Sequence, residues 1–180
     1  MRICLWLTTA VLSVYVWTVP LYAEGPAVPP IVIGGPPRTG PPDWSRMETR
    51  FTVIQYPDPG TLETFQKSID YGSGWWASSS SFTKFSEREN RKILMLKVDA
   101  IFKRAQEILD MKKVMKKVVI LVYPDEDALA RAFKETYNSD NHFRAWYEFR
   151  ANTISINALD CHEGMLAHEL AHAIIDNFLA

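Results

Sequence analysis

The chain has 180 residues, with 20 Lys plus Arg against 21 Asp plus Glu and a formal net charge of −1 at pH 7. This near-balance argues against nucleic acid as a partner, because phosphate recognition demands a basic face or stripe. With 47% hydrophobic and 23% charged residues, the composition is that of a globular protein and excludes a wholly disordered one.

Met1 and Arg2 precede an almost uninterrupted apolar run from Ile3 to Val19, followed by Pro20-Leu21-Tyr22-Ala23-Glu24. One charged residue, a long apolar stretch and a small residue at Ala23 read as a signal peptide over 1–23, which sends the remainder to the periplasm or the extracellular space. The apolar run is near the lower limit for a membrane span, so an uncleaved N-terminal anchor is the competing reading and the only membrane contact expected. Cys4 lies within that run, too early for a lipoprotein cleavage site. Loss of 1–23 leaves Cys161 as the single cysteine, so no intramolecular disulfide forms and the fold rests on its core.

Residues 24–46 read as an extended linker: between 24 and 43 stand seven of the eleven prolines and four of the eight glycines. A spacer needs no binding role to explain that composition. The folded region is expected over 47–180. Phe51–Tyr56 alternates, is rich in β-branched residues and stops at Pro57-Asp58-Pro59-Gly60, so it predicts a strand and a turn. Thr61–Ile69 predicts a short helix. Tyr71–Ser81 is a small-residue loop carrying Trp75 and Trp76, which either pack over the domain or line a cleft for an apolar substrate group.

Ser86–Met111 predicts a long amphipathic helix whose inward stripe is Leu94, Val98, Ile101, Ala105 and Ile108, with Ser86 and Glu89 as a capping box. Lys112, Lys113, Lys116 and Lys117 follow it. Cations at a helix C-terminus explain them more simply than a membrane patch does. Val118–Tyr123 is a buried strand closed by Pro124. Asp125–Tyr137 is a second helix, begun by Asp125 or Asp127 and turning Leu129, Ala132, Phe133 and Thr136 inward. After the polar loop Asn138–His142, Phe143–Phe149 and Thr153–Ile156 predict two short strands joined around Arg150, Ala151 and Asn152. Asp160 is placed to cap the last helix, with Glu163 reaching back.

That helix carries His168-Glu169-Leu170-Ala171-His172. Four residues turn a helix by about 400° and advance it by roughly 6 Å, so both imidazoles leave one face close enough to share a metal ion. This is the HExxH pattern of zinc hydrolases, in which His168 and His172 are ligands of Zn2+ and Glu169 is the general base. The flanking string Met165–Leu179 is largely apolar. Two imidazoles and a carboxylate there need partners, and a metal ion serves all three. The plainer alternative is a buried helix whose histidines bond to backbone carbonyls and whose Glu169 pairs with an Arg.

The expected fold class is α+β: a small mixed sheet packed on the long helix and on the helix bearing HExxH. This order of elements resembles the N-terminal subdomain of zincin metallopeptidases. Residues 168–176, His-Glu-Leu-Ala-His-Ala-Ile-Ile-Asp, are similar to the active-site helix of thermolysin-type gluzincins, including an Asp four residues after the second His. The resemblance implies a zinc-dependent peptidase acting on peptides or proteins, with residues 152–157 as the edge along which an extended substrate lies. It also implies a third ligand, a Glu on a helix downstream of the motif, which this sequence does not contain. The metzincin continuation is absent too, since it would need Gly at Ile175 and His at Phe178. Asp176 is expected to stand behind the site or in solvent rather than on the metal, and His142, Cys161 and His162 are outlying ligand candidates. The sequence therefore reads as a zincin domain without its C-terminal subdomain, with a non-catalytic envelope protein on the same scaffold as the alternative.

Overall fold

In the computed structural model, which describes residues 40–70, 86–149 and 151–179, the apolar run Val118–Tyr123 is the central strand of a five-stranded sheet. In chain order the elements are β1 (Ser45–Glu48), β2 (Thr52–Tyr56), α1 (Pro59–Asp70), α2 (Glu87–Leu109), β3 (Val118–Tyr123), α3 (Glu126–Tyr137), β4 (Ala145–Glu148), β5 (Thr153–Asn157) and α4 (Glu163–Leu179). The strand order across the sheet is β1-β2-β3-β5-β4. β2, β3 and β5 run parallel in the middle, and β1 and β4 close the two edges antiparallel. The protein is an α+β fold, with one mixed sheet and four helices among the described residues. Residues 1–39, with the proposed signal peptide and most of the linker, and the Trp75–Trp76 loop lie outside the described residues.

The central strand is a continuous aliphatic run from Val118 to Val122, and every residue of β2 and β5 is buried, because both faces of the sheet are covered. Ile54, Tyr56, Val118, Ile120, Val122, Ile154 and Ile156 share one core with Leu62 and Phe65 of α1, Leu94, Val98 and Phe102 of α2, and Leu166, Leu170 and Ile174 of α4. Leu121 and the buried α3 side chains Leu129 and Phe133 lie outside that cluster, and on the edge strand Trp146 meets Phe133 edge-on at 5.2 Å. Three helices therefore pack on one face and α3 on the other.

Local signals hold where they are strongest. Ser86 and Glu89 form the capping box of α2, and Asp125 caps α3 through the Ala128 amide at 2.8 Å. Two expectations need correction, and a third holds only in part. Residues 152–157 are not an edge, because β5 pairs with β3 on one side and β4 on the other, and β4 is the edge. Ile108 is 70% exposed: the buried arc of α2 swings toward Phe102 and Gln106 and leaves Ile108 on its margin. Of the four lysines only Lys112 stands at the end of α2, 4.0 Å from its C-cap Asp110, and the last turn itself holds no basic residue. Lys113 instead reaches the Phe178 carbonyl near the end of α4, and Lys117 bonds Glu48 and the Thr49 carbonyl beside β1.

Candidate functional site

Helix α4 begins on a histidine rather than on Asp160. The His162 Nδ1 accepts the Met165 amide at 3.2 Å, while Asp160 pairs with Arg144 at 2.7 Å. The imidazole just ahead of the helix accepts from an amide three residues on and satisfies that orphan donor as a carboxylate would. From there Leu166, Leu170, Ala173 and Ile174 recur at helical spacing and are fully buried, which fixes the rotation of α4 on the sheet.

That rotation decides where the motif points. At about 100° per residue, Glu169 falls on the margin of the buried stripe and His168 nearly opposite it. Glu169 is accordingly buried, His172 half-buried and His168 exposed. The two Nε2 atoms converge to 3.1 Å, with the rings near-perpendicular at 86°. Either ring nitrogen can be the donor of that contact, and it brings both Nε2 atoms together on one face of the helix.

The donor chemistry fits two corners of a metal's coordination shell. Two imidazole nitrogens on a tetrahedral zinc stand roughly 3.3 Å apart. The observed separation lies a few tenths of an ångström inside that value. Burial, together with the charge of His168, holds the His172 imidazole below its ordinary proton affinity, which favours the neutral ring that metals bind. Burial pushes the Glu169 carboxyl up, against the opposing pull of His168 and of a hydrogen bond from the Tyr147 amide.

That amide belongs to the edge strand. Asn157 donates to the Arg144 carbonyl at 3.0 Å, so with the antiparallel alternation Trp146 and Glu148 also face β5, while Ala145 and Tyr147 turn their backbone groups to the open side. Glu169 takes one of those open donors. Tyr147 is also tied to α4 by its side chain, its hydroxyl donating to Asp176 Oδ2 at 2.8 Å. One turn residue, Asn152, completes the seam: its Oδ1 accepts from Asn177 at 2.7 Å and its amide donates to the Lys117 carbonyl at 3.0 Å. Asn152 sits in the left-handed region at φ 50°, which Asn tolerates.

Asp176 is thus neither a ligand nor a solvated residue. Tyr147 occupies it, a partnership that needs the β4–β5 register and leaves no trace in local sequence. Tyr147→Phe is expected to destabilise the fold by about 1–3 kcal/mol, because it strands a half-buried carboxylate acceptor. Urea unfolding of the two proteins measures it, and equal midpoints would contradict the assignment.

Chain-wide comparison with known protein families, curated proteins and solved structures finds no match. The residues themselves carry the functional reading.

No third ligand joins the pair: among the described residues there is no group of three His, Cys, Asp or Glu able to hold a metal. The outlying candidates are engaged elsewhere. His142 Nδ1 lies 3.1 Å from Glu126, and His162 caps α4. Burial, with Asp160 beside it, pushes the Cys161 thiol up to about 12, and the side chain is packed in the hydrophobic core. No helix among the described residues is long and apolar enough to cross a membrane.

Proposed function

We propose that this chain is a zincin-type peptidase, exported by residues 1–23, in which His168 and His172 hold zinc and Glu169 is the general base. The observation that carries the reading is the meeting of two imidazole Nε2 atoms at 3.1 Å beside a buried carboxylate on the same helix. A plain structural role for the histidines would direct them to backbone carbonyls or carboxylates. Here they meet each other, one of them exposed, and no Arg pairs with Glu169 in the salt bridges of the described residues.

A bound zinc ion supplies Lewis acidity toward a peptide carbonyl and makes water a competent nucleophile at neutral pH. Glu169 does the proton work. Its raised proton affinity suits it to take a proton from the attacking water and return it to the departing amine nitrogen. The Tyr147 amide orients the carboxylate meanwhile. The open side of β4 offers an extended peptide a strand partner, which is why peptide bonds are the favoured substrate class.

A metal titration of the chelator-treated protein tests the reading. Wild type is expected to take up zinc and His168→Ala to lose it, and a wild type that takes none sinks the proposal. One observation favours a second reading, a non-catalytic envelope protein: the described residues furnish only two donors where a catalytic zinc has three. Zinc-loaded protein that leaves unfolded casein intact would select that second reading.

A further inference from the structure

The end of α2 accounts for Lys112 and leaves Lys113, Lys116 and Lys117 without that explanation. All four lysines are exposed on the loop that joins α2 to β3, and Val114 stands among them at 97% exposure. No other large apolar side chain among the described residues is as exposed.

That exposure is imposed by the way the loop is held. The buried Gln106 donates its side-chain amide to the Met111 and Lys113 carbonyls, each at 3.3 Å, and lies 3.7 Å from Met115 Sδ. Met111 and Met115 pack against the core on either side. With both methionines turned inward and the backbone pinned at two carbonyls, Val114 and the lysines are presented outward together. Acids do not absorb these cations. Lys112 lies 4.0 Å from Asp110, the outer limit of an ion pair, and such exposed pairs contribute little. Lys113 reaches the Phe178 carbonyl and ring, and Lys116 has no acidic partner among the described residues. Lys117 alone is held closely, by Glu48 at 3.1 Å.

We propose that this loop docks on an anionic lipid surface, with Lys112, Lys113 and Lys116 among the headgroups and Val114 in the interfacial layer between them. Three cations around one exposed apolar side chain meet both demands of such a surface, charge attraction and apolar area to bury. A soluble polyanion would use the lysines and leave Val114 in water. The inference is independent of zinc and of the peptidase reading. An attraction of about fivefold per lysine gives three of them a preference of about 10² for an anionic over a neutral bilayer. Such a contact is reversible and salt-sensitive, because its charges act only within a Debye length.

Flotation of the full chain with vesicles tests this, comparing mixed phosphatidylglycerol and phosphatidylcholine with phosphatidylcholine alone. Any insertion of the apolar run at residues 3–19 contributes on both, so the difference between them reads the charge. Wild type is expected to bind the anionic vesicles about 10²-fold more tightly, and to lose that preference at about 1 M salt, where the screening length is roughly 3 Å. Lys112→Gln, Lys113→Gln and Lys116→Gln combined should remove the preference and melt at the wild-type temperature. Val114→Ser should weaken binding to the anionic vesicles severalfold, through loss of the apolar contact. Equal binding to both kinds of vesicle, or a preference that survives in the triple variant, would overturn the proposal. So would soluble polyglutamate bound as tightly as the vesicles and with no effect of Val114→Ser, which would make the occupant an acidic protein.

Discussion

Glu169→Gln is expected to keep its zinc, lose peptide hydrolysis by a factor of about 10³, and melt at a higher temperature than wild type in the metal-free state. The three results have one cause. Gln preserves the shape and the bond from the Tyr147 amide but can neither accept nor return a proton, so the proposed base disappears while the two imidazoles are untouched. Stability moves the opposite way because burial opposes the charged form of Glu169. The sign follows from linkage. A carboxyl whose folded proton affinity is raised above the ordinary value of 4.5 gives stability that is complete below pH 4.5 and lost as pH rises through the folded pKa. The advantage of the Gln variant should therefore be small at pH 4 and grow toward neutral pH. Melting curves of chelator-treated proteins at both pH values measure it, with a gain of about 3 °C at pH 7.5 corresponding to roughly 1 kcal/mol. A gain that shrinks with rising pH would reverse the assigned shift. Loss of zinc in the variant would make Glu169 a ligand instead of a base.

What was legible from sequence was whatever depends on residues close in the chain. The span Val118–Tyr123 emerges with the bounds its composition suggests, the box at Ser86 and Glu89 closes, Asp125 caps its helix, and the i,i+4 spacing of His168 and His172 brings their rings together. Each is settled by backbone geometry within a few residues. What escaped depends on distant pairing. β1 has no alternating apolar pattern and only Met47 is buried, so Ser45–Glu48 becomes a strand because β2 offers it a hairpin partner. The inner position of β5 and the edge position of β4 follow from β3 being free to pair with β5, which no local signal encodes. The bond between Tyr147 and Asp176 spans 29 positions in the sequence and appears only after that register is set.

The same boundary separates two isoleucines that look alike in the sequence. Ile108 belongs to the α2 stripe by periodicity and is 70% exposed, whereas Ile154 is fully buried between β3 and β4, opposite both Ile120 and Tyr147. Ile154→Ala should cost about 3–4 kcal/mol, because the site is closed in by strands on both sides and cannot collapse into the cavity. Ile108→Ala should stay within about 0.5 kcal/mol. Denaturant unfolding of the pair measures the contrast, and equal costs would contradict the packing. The larger effect should also reach the site unevenly. The histidines hold their spacing through one helix and should still bind zinc while the protein remains folded. Glu169 depends on the position of Tyr147 across the seam, and Ile154 is the residue directly under that tyrosine in the sheet. Ile154→Val, which removes a single methylene, should therefore keep wild-type zinc affinity yet lower turnover without a matching change in KM, as expected when a base is displaced and binding is not.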